Sequence, residues 1–409
     1  MSLKERLANL RTSPARMSSP NRPSPLPYLL PMENEQGMTY YKDKIYIDYH
    51  GQIDLKNYPR LSPETLAFLS FTALQEFDVR DAVFLDIETT GTAGGAGTVA
   101  FLVGLGFLEE GYFQVRQYFL HDLSEEAAFL DAIRSFCKRF RYLITYNGKC
   151  FDAQILRTRY LLHRWEDPLS DKHHIDMLFV ARRLWKRRFQ VCDLVNLERN
   201  LLGFERADDI PSYLIPSAYT DYLRFSNAIV IQKVIDHNQW DILSLAVLTA
   251  RACLLQNDNS ELSAEEHFSL SLLHERRKEY ERALDHQLDS IRLQHQPEPA
   301  VLLALSRNLR RVKDQGRMRW LLAQIQKENL TNELCRRLCI ICEHDLKDYD
   351  LGVSLAEAQI QKLERFRGIA GNVESLLLDW HLRRNRLVKK QSKSVRKHEQ
   401  AKTSSDTML

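Results

Sequence analysis

Residues 84–91 read FLDIETTG. Together with Ala82 and Val83 they make a near-continuous apolar run, AVFLDI, of the kind that forms a central strand buried on both faces. Asp86 and Glu88 interrupt that run two residues apart, and residues two apart on a strand share a face. The strand therefore ends by aiming two negative charges at one small volume. Like charges that close repel, and burial makes the repulsion worse. A divalent cation with a preference for hard oxygen ligands, Mg²⁺ or Mn²⁺, removes the conflict. Two carboxylates are too few for such an ion, so further ligands are expected at the edges of neighbouring elements.

The surrounding text predicts those elements. TVAFLVGLGFL and YFQVRQYFL read as strands joined by a Glu-Glu-Gly hairpin, and YLITYN as another strand. SEEAAFLDAIRSFCKRF, FDAQILRTRYLLHRW, DMLFVARRLWKRR, VCDLVNLERNLLGF and the long segment near 228–254 read as helices. A strand meander followed by alternating strand and helix predicts an α/β fold with a sheet of mixed direction. Upstream, MTYYKDKIYIDYHG has a period near two and SPETLAFLSFTALQEF predicts a short helix opened by Ser62.

Two further acidic residues stand where such strands and helices meet. Asp152 follows the Asn147-Gly148 break after YLITYN, at the start of a helix. Asp241 lies in HNQWDILSL, four residues after His237, so the two share a helix face. FLDIETTG, YNGKCFD and HNQWD, in that order, resemble the three motifs of the DEDD superfamily of 3′–5′ exonucleases. The flanking GGAGTVAFLVGLG, LRTRY, ARRLWKRR, LERNLLGFER and DILSLA resemble, more narrowly, the YprB-type ribonuclease-H-like family. The resemblance covers about residues 80 to 255. It implies a ribonuclease-H-like fold, two bound divalent ions (Mg²⁺ or Mn²⁺) held by Asp86, Glu88, Asp152 and Asp241, and His237 as the residue that handles the attacking water. The spacing departs from both branches of the superfamily: His237 has three residues before Asp241, a histidine at the interval that usually carries tyrosine.

The chemistry supports the same reading. Phosphodiester hydrolysis needs an activated water and stabilised attacking and leaving oxygens, which two metals about 4 Å apart supply. An imidazole, with an ordinary pKa of about 6.5, can accept the water's proton near neutral pH. The expected substrate is DNA or RNA, single-stranded, with Asn147, Arg183 and Lys186 as candidate contacts; Trp185 lies among the basic residues of RRLWKRR. Asn147 also suits the turn before the helix, and a solvated helix face with Trp185 in the core explains the arginines equally well. Asp176 is better read as a helix cap than as a fifth ligand. The glycines of GTAGGAG lack the Lys-Ser/Thr of a phosphate-binding loop. Cys335, Cys339 and Cys342 fall at helical spacing and read as a buried stripe.

The 409 residues exceed one ordinary core. We expect a disordered Pro/Ser-rich leader over 1–35, a lead-in over 36–80, the nuclease-like domain over 81–256, an all-α domain over 261–385 and a basic disordered tail over 386–409. In the all-α part, KEYERA at 278, KDQGRM at 313 and KDYDLG at 347 recur near the 34-residue period of tetratricopeptide helix pairs. Gln315 interrupts the pattern, and three unrelated amphipathic helices are the alternative. Such repeats imply a protein partner. The net charge of +3 leaves any basic surface to be local. Seven scattered cysteines fit a reducing compartment, and no secretory or bilayer-spanning stretch is evident, so a cytoplasmic location away from membranes is expected. The rival reading is a non-catalytic nucleic-acid- or protein-binding scaffold that keeps the fold.

Overall fold

The structure is a computed structural model that describes residues 26–406, apart from 57, 59, 60, 75, 92–94, 256–261, 326–329 and 369–371, with side chains as far as residue 396. The chain divides into two compact units, Met1–Asn259 and Ser260–Leu409.

The first unit is built on a seven-stranded sheet of order β1-β2-β7-β6-β5-β8-β9. Its strands are β1 (Leu30–Asn34), β2 (Gly37–Tyr46), β5 (Ala82–Thr89), β6 (Ala100–Glu109), β7 (Tyr112–Phe119), β8 (Tyr142–Thr145) and β9 (His173–Asp176); β3 (Tyr49–His50) and β4 (Ile53–Asp54) form a separate small pair. Strands β1 to β5 pair antiparallel, whereas β5-β8-β9 are parallel. The sheet is thus of mixed direction, and FLDIET of FLDIETTG lies on β5, an interior strand between antiparallel β6 and parallel β8. The β6-β7 hairpin turns through Glu110 and Gly111, both with positive φ, as the twist of a two-residue connection demands.

The helices are α1 (Pro63–Ser70), α2 (Glu126–Cys137), α3 (Asp152–Leu162), α4 (Met177–Phe189), the short α5 (Leu194–Leu197), α6 (Ile215–Phe225) and α7 (Ala228–Leu254). VCDLVNLERNLLGF is therefore not one regular helix. After α5 it widens into a π-helical turn, Glu198–Leu202, closed by Gly203 in the left-handed conformation. Helix α7 lies against the sheet because β6 carries glycines beneath it. A Cβ at Gly104 would stand 2.3 Å from Asn238 Oδ1, and one at Gly106 2.6 Å from Ile242 Cγ2. The core between sheet and helices holds Leu85, Phe101, Leu105, Phe129, Leu156 and Tyr219, all fully buried.

Two expected boundaries change. The leader assigned to 1–35 contains β1, which pairs with β2, and β2 pairs with β7, so the sheet begins at residue 30, ahead of the expected start at 81. The proline-containing LPMEN is an edge strand, the sheet position that tolerates proline. Residues 1–25 of that leader lie outside the described residues, as do 92–94 of GTAGGAG.

The second unit is all-helical: α8 (Ala264–Arg276), α9 (Tyr280–Arg292), α10 (Pro299–Val312), α11 (Gln315–Gln324), α12 (Asn332–Ile340) running into a π-helical turn (Ile341–Leu346), α13 (Tyr349–Glu364) and α14 (Val373–Asp406). KEYERA, KDQGRM and KDYDLG occupy one structural place, the turn that opens the second helix of each pair. Lys278, Lys313 and Lys347 all hold positive φ there. Cys335, Cys339 and Cys342 are buried in this unit's core with Leu338 and Trp380. The basic stretch from 386, expected to be disordered, continues α14 to Asp406. Arg384 and Arg386 tie the helix to Glu357 and Glu343, and extending an anchored helix is easier than nucleating a new one. Among the described residues, no helix is long and apolar enough to cross a membrane.

Candidate metal centre

Asp86 and Glu88 stand on one face of β5, just before a register shift in its pairing with β6. Asp152 opens α3 and turns back to the strand, where its Oδ1 accepts the Ile87 N–H at 3.2 Å, between the two acidic residues. Helix α7 supplies the rest. Asn238, fully buried, donates from Nδ2 to Asp86 Oδ2 at 2.8 Å and to Asp86 O at 3.2 Å, and its Oδ1 accepts from Gln117 Nε2 at 2.8 Å. That contact fixes α7 over the strand. His237 Nε2 then lies 3.3 Å from Asp241 Oδ2 and 3.9 Å from Glu88 Oε1. The fold thus gathers Asp86, Glu88, Asp152, His237 and Asp241 at one end of the central strands.

A second layer was not foreseen from the sequence. Arg206, in the loop after the π-helical turn, grips Glu198 with two nitrogens, Nε to Oε2 at 2.7 Å and Nη2 to Oε1 at 2.6 Å. Its Nη2 also reaches Asp241 Oδ1 at 2.5 Å and its Nη1 reaches Asp209 Oδ2 at 3.3 Å. Asp209 Oδ1 in turn meets His237 Nδ1 at 2.7 Å. A carboxylate can only accept, so a neutral His237 meets Asp209 with its hydrogen on Nδ1. Nε2 is left as the free acceptor facing Glu88 and Asp241. LERNLLGFERADD contained the signal, Glu198, Arg206 and Asp209 around an apolar turn, but nothing in the sequence says that this turn folds back over α7.

The electrostatics are those of a cluster short of positive charge. The Asp86 carboxyl is pushed far above the usual carboxylate range by burial first, then by Asp241, Glu88 and Asp152, with the Asn238 hydrogen bond opposing. Glu88 is pushed the same way by burial, Asp241 and Asp152, against Arg206. Asp152 rises to about 7, mainly through burial, although its own backbone N–H and that of Ile87 hold it down. One guanidinium shared among Glu198, Asp209 and Asp241 does not neutralise this set. Ligand atoms of Glu88, His237 and Asp241 lie within 4.8 Å of one another. Hard carboxylate oxygens suit Mg²⁺ or Mn²⁺, so the acidic set fits a divalent cation.

The other candidates divide. Asn147, with φ of 66°, forms the turn after β8, and its N–H and that of Lys149 are held by Asp176 at 2.8 and 3.0 Å. Asp176 also caps α4 through the Leu178 N–H. Asn147 lines an open cleft of about 620 Å³ with Tyr146, Lys186 and Arg182. Leu85 pairs with Thr145 in parallel, so Tyr146 and Asn147 leave β8 at the end of the sheet where Asp86 follows Leu85 on β5. Arg183 points elsewhere: it donates to Leu69 O at 2.8 Å and stacks on Phe71. Arg182 takes the place in the cleft expected of it, and Trp185 is fully buried.

Comparison with known proteins agrees with this geometry. Residues 83–253 match the RNase_H superfamily. Over 173 residues the chain is 36% identical to the uncharacterized protein YprB of Bacillus subtilis (strain 168), a match covering 42% of this chain and 42% of that relative. Residues 83–253 include every residue of the cluster described above, with all of β5 but Ala82 and all of α7 but Leu254. Residues 83–253 therefore belong to the RNase_H superfamily and form a ribonuclease-H-like domain of the YprB type.

Proposed function

We propose that this protein is a metal-dependent nuclease, a 3′–5′ exonuclease that hydrolyses phosphodiester bonds of single-stranded DNA or RNA. The observation that carries the reading is the convergence of Asp86, Glu88, Asp152 and Asp241, from a strand and two helices, into one cluster, Asp152 buried and the others half-buried, where burial and then mutual charge drive protonation upward. A binding scaffold has no use for such a cluster, and Arg206 alone cannot serve as its permanent counter-ion.

In this reading the four carboxylates hold two Mg²⁺ or Mn²⁺ ions. When bound, those ions supply charge stabilisation for the phosphoryl and leaving oxygens. His237 Nε2 takes the proton of the attacking water, and Asp209, on Nδ1–H, keeps the ring in the tautomer that can do so and offsets the charge that forms. Arg206 holds Asp241 and Asp209 in place through Glu198. In this reading the strand's phosphates run along the cleft lined by Lys186, Arg182 and Asn147.

The test is digestion of 5′-labelled single- and double-stranded DNA and RNA with Mg²⁺, with Mn²⁺ and with EDTA. A ladder shortening from the 3′ end, abolished by EDTA and by Asp86→Asn, is expected. Tight binding with no cleavage under any metal would favour the scaffold.

A further inference from the structure

Arginines crowd one cleft in the helical unit. A hollow of about 680 Å³ is lined by Arg310, Arg336, Arg337, Arg383, Arg386 and His344, with Glu333 as its one acid. Two of these guanidiniums are already satisfied. Arg310 Nε meets Asp345 at 2.6 Å, and Arg386 meets Glu343 at 2.8 Å. Arg336, Arg337 and Arg383 form no ion pair among the described residues. Arg336 is exposed, Arg337 half-buried, and Arg383 only 7% exposed. Arg383 lies 5.7 Å from the Trp380 ring, and its Nε is buried without a hydrogen-bond partner.

A guanidinium withdrawn from water with a donor unused is costly. It is the group expected where an anion completes the site. Three unpaired guanidiniums exceed what one anion needs and match an array of them. The set is arginine without lysine, which favours planar, two-pronged recognition of phosphate. We propose that this cleft binds the phosphodiester backbone of a nucleic-acid strand, giving the protein a second, sequence-independent contact in its helical unit. The choice of a nucleic acid over an acidic peptide rests on the nuclease reading of the first unit; the arginine array itself does not.

The experiment uses the full chain in EDTA, with fluorescence anisotropy of end-labelled 20-mer single-stranded DNA and RNA over a salt series. The paired variant Arg336→Glu/Arg337→Glu changes side chains without partners, and Arg336→Gln/Arg337→Gln provides a milder pair; a thermal melt verifies that each is folded. For single strands each lost phosphate contact lowers the slope of log K against log salt by about 0.7. The expected result is a slope shallower by about 1.4 and, at low salt, affinity at least about tenfold weaker for the glutamate pair. Folded variants with unchanged affinity and slope would overturn the proposal. So would a polyglutamate that displaces the oligonucleotide at equal concentration, which would assign the cleft to an acidic peptide. Asp86→Asn assayed for hydrolysis separates the two readings: retained cleavage would sink the carboxylate-cluster mechanism and leave the anisotropy result standing.

Discussion

His237 Nδ1 and Asp209 Oδ1 lie 2.7 Å apart, and this pair decides which face of the imidazole looks at the carboxylate cluster. General-base catalysis contributes about 10²–10⁴-fold, so His237→Ala should lose activity in that range while keeping the fold. Asp209→Ala removes only the ring's anchor, and a loss of about 10–100-fold is expected. Single-turnover rates at saturating metal check both. A double variant no slower than His237→Ala alone would show that Asp209 acts through the ring; additive losses would place Asp209 in another role.

Asp86→Asn should abolish hydrolysis and leave the protein folded. The amide oxygen can still accept from Asn238 Nδ2, while one of the mutually repelling charges is gone. In EDTA its melting temperature should equal or exceed that of the unaltered protein. A clear fall would mean that Asp86 supports the fold more than it strains it.

The pH dependence of stability without metal follows from Asp152. Its carboxyl titrates at about 7 in the folded protein, against roughly 3.9 in an unfolded chain. The folded state therefore binds the proton more tightly. The stability this contributes is fully present below about pH 4 and is lost as pH rises through 7. In EDTA the melting temperature should decline between pH 5.5 and 8. Mg²⁺ needs deprotonated ligands, so the rise it causes should grow over the same interval. A metal-induced shift equal at both pH values contradicts the assignment.

Arg206 and Glu198 are almost fully enclosed, with side chains 4% and 1% exposed. Truncating one partner strands the other's charge, so Arg206→Ala should cost about 3–5 kcal/mol in urea unfolding. Glu198→Gln combined with Arg206→Gln should recover part of that loss. If the double variant is as unstable as the single, Arg206 matters mainly through Asp241 and Asp209.

The recurring lysines of the helical unit offer a test of its repeat. Lys278, Lys313 and Lys347 sit in the left-handed region at equivalent turns, a conformation glycine adopts without its Cβ clashing. Each Lys→Gly change should stabilise by about 0.5–1 kcal/mol. A loss at one position would single out that turn as different from the other two.

How far the sequence anticipates this molecule depends on range. Asp86 and Glu88 are readable because strand alternation is local. Asp152 follows from a strand break before a helix, and His237 with Asp241 from one helical turn. Asn238 sits between those two, yet its role needs Gly104 on a strand far away in sequence. Glu198, Arg206 and Asp209 escape because a π-helical turn and a loop carry no periodicity to reveal where they fold. Arg183 and Arg182 are neighbours on α4, and periodicity alone does not tell which faces the cleft. The edge strand β1 buries none of its side chains fully, so LPMEN shows only a faint alternation.

The fit of Asn238 against Gly104 also sets an angle. Successive residues of an α-helix point about 100° apart, as 3.6 per turn requires. Were α7 to turn by a single residue on the sheet, His237 and Asp241 would swing away together, and neither could meet Glu88. A side chain occupying the hollow left by a missing Cβ works like a key in a keyway: it admits one rotational phase of the shaft and rejects the others. Ala at position 104 would fill the keyway, since its methyl would fall 2.3 Å from the Asn238 oxygen. One methyl group on a strand would thereby disturb the aim of two residues on a helix, without touching either.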